Sequence, residues 1–392
     1  MEILIRVQLI YEGKKNKEDI LNKEYPYSFS RPWNKENSLL IQGDNLISLQ
    51  LLLKRYDLRG KIDFIYIDPP FATNNVFVIG EERTRTISGS NSDKVAYKDT
   101  LLGEEFIEFL RERLILAYEL LSEKGSIYVH LDYKIGHYIK IVMDEIFGIE
   151  NFRNDIARIK CNPKNFAKTS YGNIKDLILF YTKTKNNIWN DINTPFSEED
   201  IKRLYKKMDS TGRMYTTIPL HAPGETKNGT TSEAFNGIKP PTGRHWRCSP
   251  SVLEKLDEEG MIEWSNNGVP RRIIYADEKK GKKVQDIWEY KDSQYPVYPT
   301  EKNLKLLEYM IENSSNRDSI VLDFFCGSGT TLLAANNLQR QWIGIDSSEH
   351  AIKITRERLS NNIPELFPRA NYDLIFLKAI TDVGIDSWIF AP

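Results

Sequence analysis

Apolar side chains along this chain follow two periods, and the segments they mark alternate. Residues 61–67, with Ile62, Phe64, Ile65, Tyr66 and Ile67, have the alternating, β-branched and aromatic character of a buried strand. Residues 319–326, 341–345 and 125–132 read the same way, and residues 154–160 and 177–183 add two more strands. Helical periods lie between them. Residues 104–121 put Phe106, Phe109, Leu110, Leu114, Ala117, Tyr118 and Leu121 on one stripe, and residues 137–148 and 332–338 predict further helices. Strand and helix in alternation predict an α/β fold with a doubly wound sheet.

Turn-forming residues divide the chain into four stretches. Residues 1–36 are a charged, aromatic-containing lead-in, and residues 37–185 and 291–392 carry the strand and helix patterns. Residues 186–290 differ in texture: short strand-like pieces alternate with turns such as Ala222-Pro223-Gly224, Asn228-Gly229 and Asn266-Asn267-Gly268, with basic and aromatic residues interleaved. Residues 72–100, rich in Asn, Ser, Gly and charge, predict a long loop, which inside a compact domain is usually functional or unstructured.

Two turns carry the chemistry. Asp68-Pro69-Pro70-Phe71 ends the 61–67 strand, and the proline pair freezes the backbone so that one carboxylate and one carbonyl sit beside an aromatic face, a clamp suited to a planar amino group. The strand at 319–326 runs directly into Gly327-Ser328-Gly329-Thr330-Thr331, where glycines permit a tight turn and close backbone approach. A helix, a strand and Asp346 follow, so the unit places an acid where a ribose diol would be held. Leu332 stands where a dinucleotide fingerprint needs glycine or alanine, which disfavours a pyrophosphate-bearing cofactor.

With its Asp-Pro-Pro-Phe clamp and Phe325-Cys326-Gly327-Ser328-Gly329, the chain resembles the amino-group DNA methyltransferases. The order of catalytic motif, recognition region and cofactor motif is that of their β arrangement, and the wider pattern is similar to the adenine-specific modification methyltransferases of restriction-modification systems. The resemblance implies a Rossmann-like sheet, circularly permuted in chain order, with a target-recognition domain inserted at residues 186–290. It implies S-adenosyl-L-methionine as methyl donor and double-stranded DNA as substrate, methylated at adenine N6 after base flipping. Cytosine N4 is the alternative target, for which the family more often shows Ser in place of Asp68. A chain acting chiefly as the sequence-reading subunit of a restriction assembly is a further alternative. A cognate endonuclease and a homodimer are the partners it suggests.

Roles follow residue by residue. Asp68 and the Pro69 carbonyl would accept from the amino hydrogens, Pro70 would fix the clamp, and Phe71 would stack on the flipped base. On the cofactor side the resemblance implies Asp44 at the adenine amino group, Asp346 at the ribose, and Asp323, Phe325, Gly327 and Gly329 around the loop. Thr300 belongs to the cofactor-side motif Tyr298–Asn303, and Thr330 with Lys302 would hold the methionine carboxylate. DNA contacts are expected from Arg158, Lys160, Lys164 and Phe166, and from Arg244, Trp246 and Arg247 in the recognition region.

Composition narrows this further. A chain of 392 residues, 40% hydrophobic, can bury a large core. A net charge of −1 excludes a uniformly basic DNA-binding surface, so any footprint needs segregated charge, as in residues 153–185, where eight Lys and Arg stand against Asp155 and Asp176. Cys161, Cys248 and Cys326 are odd in number and lack metal-ligand spacing, which implies a reducing, cytoplasmic setting; with five scattered histidines no metal is expected. The absence of a Pro-Cys pair argues against methylation of a ring carbon. No apolar run approaches the roughly 18 residues that span a bilayer, so no membrane association is expected.

Overall fold

The computed structural model describes residues 7–70, 76–79, 84–85, 94–98, 103–162, 169, 171–226, 228–266, 268–279, 281–292, 301–361 and 370–380. The chain divides into two units, Met1–Asp191 with Gln285–Pro392, and Ile192–Val284.

The first unit is built on a ten-stranded sheet. In chain order its strands are β1 (Tyr27–Phe29), β2 (Ser38–Gln42), β3 (Ile62–Ile67), β4 (Leu121–Leu131), β5 (Phe152–Ile159), β6 (Lys175–Thr182), β7 (Ile287–Trp288), β8 (Ile320–Asp323), β9 (Gln341–Asp346) and β10 (Tyr372–Ala379). Across the sheet the order is β1-β10-β2-β9-β8-β3-β4-β6-β5-β7. From β10 to β4 all neighbours are parallel, and β6 runs antiparallel to both β4 and β5. The chain winds from β8 to β9 in one direction and from β3 to β4 in the other. The direction therefore reverses between β8 and β3, the position at which open α/β sheets leave a crevice for ligands.

Helices α1 (Lys17–Asn22), α2 (Asn45–Lys54), α3 (Gly103–Leu120) and α4 (Gly136–Phe147) form one packed group, and α5 (Leu304–Ser314), α6 (Thr330–Asn337) and α7 (Glu349–Asn361) another. The period of two along each strand explains why both groups find apolar surface. Ile65, Ile67, Ile127 and Val129 cluster with Leu49, Leu110 and Leu114 of α2 and α3. Side chains of opposite parity meet the other group: the Tyr128 hydroxyl bonds Ser314 Oγ at 2.8 Å, and a Cβ added at Gly344 would lie 2.4 Å from Leu332 of α6. Only glycine lets α6 approach β9 this closely. Asp44 caps α2 by accepting from the Ile47 N–H, and Asn303 caps α5.

The expected 72–100 loop is in part a sheet. Val76–Ile79 pairs antiparallel with both Thr84–Arg85 and Lys94–Lys98. Val76, Val78 and Ile79 are β-branched residues that favour a strand despite the polar residues around them.

The second unit holds a four-stranded antiparallel sheet in the order Lys207–Met208, Met214–Pro219, Pro270–Tyr275, Ile262–Trp264, and a ribbon of His221–Pro223 with Arg244–Trp246. Its core is Leu220, Phe235, Trp246, Leu253 and Ile262. Trp246, expected at DNA, is 1% exposed and donates its indole N–H to the Glu233 carbonyl, so its ring fills this core and cannot meet a duplex. Trp246→Ala should cost about 3–5 kcal/mol, whereas Arg247→Ala, at an exposed position, should stay within about 0.5 kcal/mol of the parent. Hydrogen exchange read by mass spectrometry checks both: only the first should strip protection from peptides around Phe235, Leu253 and Ile262.

Candidate active site

The two chemistry-bearing turns leave adjacent strands. β8 pairs with β3 in register Val321↔Phe64 and Leu322↔Ile65, so Asp68 and the Asp323–Gly329 turn emerge side by side at the carboxyl edge of the sheet. Pro69 is buried and Pro70 half-buried. Phe71 lies outside the described residues, as do Thr300, Lys164 and Phe166.

The two oxygens of Asp68 have different surroundings. Oδ2 lies 2.5 Å from Nζ of Lys302, with the two side chains 16% and 8% exposed. Oδ1 is buried and has no hydrogen-bond partner among the described residues. A buried acceptor without a donor is costly, so it calls for a partner such as water, an ion or a ligand. Lys302, expected at the methionine carboxylate, meets Asp68. The spacing of residues 298–303 gave no sign of this, because the partner is distant in sequence.

The glycine loop is held from behind. Gly327 and Gly329 have φ of 49° and 75°, values that side-chain-bearing residues adopt at a cost, and a Cβ at Gly329 would lie 2.6 Å from Thr355. Asp346 accepts from the Gly327 N–H at 2.8 Å and from the Ser348 N–H at 2.9 Å, so the acid read as a ribose ligand also ties the loop to the end of β9. Thr330 accepts from Arg358 at 3.0 Å, and Arg358 also reaches Ser328 Oγ at 2.9 Å and Glu301 at 2.8 Å. Arg358 escaped sequence reading, since nothing marks one arginine on an amphipathic helix. Phe325 is half-buried between Phe324 and Phe109.

Asp44 stands between β2 and α2. Its carboxylate caps α2, with Arg113 3.6 Å away, and its side chain is 47% exposed. Arg113 stacks on Phe109, 3.5 Å from the ring centre, and donates to Asn45 Oδ1 at 2.6 Å; Asn45 in turn donates to the Phe324 carbonyl. Burial lowers the Arg113 guanidinium to about 10, which leaves it charged at neutral pH. The chain from Asp44 to Phe324 thus knits the ends of β2 and β8 together.

Below Asp68 lies a buried polar network. Continuing the β3–β4 register from Ile67↔Val129 puts His130 level with Asp68. His130 Nδ1 meets the Tyr66 hydroxyl at 2.9 Å and Nε2 meets Asp176 at 3.2 Å. Burial lowers the His130 pKa, favouring the neutral ring. Burial also pushes the Asp176 carboxyl up, but bonds from His130 and Lys160 overcome it and hold the acid below the usual carboxylate range.

Arg158 and Lys160, expected at phosphates, belong to this network. Arg158 is fully buried against Asp176, Asp292 and the Tyr290 carbonyl, and Lys160 bonds Asp176 at 2.6 Å. Arg153 likewise donates to the Glu150 and Thr184 carbonyls. The basic run predicts phosphate contacts; the fold instead pairs Arg158 and Lys160 of it with Asp176.

In the second unit Arg244 and Arg247 are exposed. Arg244 donates to His221 Nδ1 at 3.1 Å, Arg247 to the Pro219 carbonyl at 3.2 Å, and Arg271 to Thr217 at 2.9 Å. Burial lowers the His221 pKa, with Arg244, Arg247 and Arg271 adding to the effect. Asp257 accepts from Asn236 and Trp264.

A DNA methylase profile, that of the N6/N4 methyltransferases, matches residues 62–357, a span that contains both turns. The chain belongs to this family. M.EcaI, a type II methyltransferase of Enterobacter cloacae, is 39% identical over 91% of this chain and 78% of its own length. The Mod subunit of the type III StyLTI restriction-modification enzyme of Salmonella typhimurium is 28% identical over 78% of this chain, which spans 50% of that subunit. The solved M1.HpyAVI–SAM complex aligns with a TM-score of 0.40 at 18% identity, covering 82% of this chain and 98% of that one. Among the described residues no group of His, Cys, Asp and Glu forms a metal site, and no helix is long and apolar enough to cross a membrane.

The methylase edge collects three acids, and the most buried pays for it. Burial, with Asp68 and Asp346 adding repulsion, lifts the Asp323 carboxyl to about 7, against bonds from Thr331 and the Phe325 N–H. A proton held more tightly in the folded chain gives stability that is complete below the unfolded carboxyl pKa and is lost as pH rises through about 7. Asp323→Asn should therefore flatten the fall in melting temperature between pH 5 and 8, relieving up to roughly 4 kcal/mol at the alkaline end. Parallel melting curves across that range check it; equal slopes would show that Asp323 stays ionised.

Proposed function

We propose that this DNA methylase transfers the methyl group of S-adenosylmethionine to the exocyclic N6 of adenine in duplex DNA, with Asp68 as the catalytic residue. The observation that carries the reading is the buried Oδ1 of Asp68, unpartnered among the described residues and set beside the glycine loop.

The residues fit such a donor. Two left-handed glycines open the loop to close approach, Asp346 stands at the end of β9 with lone pairs to spare for a ribose diol, and half-buried Phe325 offers an apolar wall. Bound S-adenosylmethionine supplies an electrophilic methyl, which passes to nitrogen as its bond to sulfur breaks. The amino nitrogen donates its lone pair into the base ring and is a poor nucleophile. Asp68 Oδ1 accepting one amino hydrogen, and the Pro69 carbonyl the other, draws that density back to nitrogen. The proton that nitrogen then loses passes to the Asp68 carboxylate and on to solvent. The base must leave the duplex to reach this edge, and the sequence supplies an aromatic residue, Phe71, next to the clamp for it to stack on.

Residues 192–284 are the region we assign to target recognition. Arg244 and Arg247 are exposed, and neutral His221 accepts from Arg244 and so fixes the guanidinium plane, the condition for reading a guanine edge with two bonds. Relatives named for restriction-modification systems support a modification role opposite a cognate endonuclease, acting in the cytoplasm where the DNA is.

Nucleoside mass spectrometry of DNA methylated by the purified chain tests the reading: N6-methyladenine is expected, and N4-methylcytosine would move the target to the other base of the family. Asp68→Ala should keep donor and DNA affinity while losing at least about a hundredfold in single-turnover rate. A near-parental rate in that variant would sink the role given to Asp68.

A further inference from the structure

We propose that Lys302 is a positioning residue for methyl transfer: by holding Oδ2 of Asp68 it turns Oδ1 toward the amino group. The inference rests on the catalytic reading of Asp68.

The pair is nearly dry. With Nζ and Oδ2 2.5 Å apart and the side chains 8% and 16% exposed, their attraction is little screened by water. One Asp68 oxygen is thereby fixed, and a carboxylate is planar, so the direction of the other is fixed too. That other oxygen is the one with no partner among the described residues.

A cation suits these surroundings. Asp323 is buried in the adjoining turn, Asp346 belongs to the same acidic edge, and Lys302 sets a positive charge beside Asp68. With Oδ2 held by the ammonium, Oδ1 is left to accept from an amino donor.

Lys302 is itself fixed on both sides. Glu301 bonds Arg358, which grips Ser328 and Thr330 of the glycine loop, and Asn303 caps α5. The ammonium is thus carried by a segment joined to the glycine loop and directed at Asp68.

Calorimetry for S-adenosylmethionine, anisotropy for duplex DNA, and single-turnover rates with both saturating, applied to Lys302→Met, Lys302→Arg, Asp68→Asn and the Asp68→Asn/Lys302→Met double variant, test this. Lys302→Met should leave both affinities within about twofold and lower the rate at least about tenfold, and Lys302→Arg should restore most of it. In the Asp68→Asn background the methionine substitution should cost nothing further, as expected of a residue that works through its partner. Should Lys302→Met prove unstable, Lys302→Gln, which keeps the length and a donor without the charge, takes its place with the same expected losses. Donor affinity weakened about tenfold with the saturated rate preserved would make Lys302 a cofactor ligand and overturn the proposal. An unchanged rate, or an equal further loss on top of Asp68→Asn, would overturn it as well. A parental rate in Asp68→Asn alone is a separate result, which removes the catalytic reading of Asp68 itself.

Discussion

The parallel pairing of β8 with β3 is the contact on which the site depends. It joins residues from opposite ends of the chain, with the whole of Ile192–Val284 between them, and it makes neighbours of two turns that share no sequence context. Such a contact is entropically expensive to close, but the cost grows only slowly with the length of the intervening chain, so an interposed unit of this size is tolerated. Apolar burial offsets it: Val321, Leu322, Phe64 and Ile65 are all fully buried. The motif order along the chain can therefore be permuted without moving the motifs in space.

Joining those turns creates an electrostatic problem, because each brings acids to one dry edge. The structure meets it in three ways. Asp346 is bonded by two backbone N–H groups, Asp323 is driven toward its neutral form, and Asp68 is paired with Lys302. Of the three, Asp68 is the acid whose buried Oδ1 has no partner among the described residues.

How much of this was legible in the sequence follows from how local each feature is. The Asp68-Pro69-Pro70 turn, the glycine loop and the alternating strands are set by adjacent residues, and their places at the sheet edge could be read from them. Lys302, Arg358 and His130 act through partners far along the chain, and only the strand order brings Lys302 to Asp68 or His130 level with it. Arg158, Lys160 and Trp246 show the converse error. Their residue types suit DNA, yet whether an arginine faces a phosphate or Asp176, or a tryptophan a base or Leu253, is decided by tertiary packing. Asp44 has a local role as well, since an acid ahead of a helix caps it.

Two consecutive residues join the donor loop to the catalytic clamp. Glu301 draws Arg358 onto Ser328 and Thr330, while Lys302 reaches Asp68 in the opposite turn. Their opposite charges make each side chain suited to its own target and wrong for the other, so the segment cannot slip by one residue without breaking both contacts. The Asp68 turn and the glycine loop are in this way linked through two adjacent side chains, so a change at either position would loosen one turn from the other.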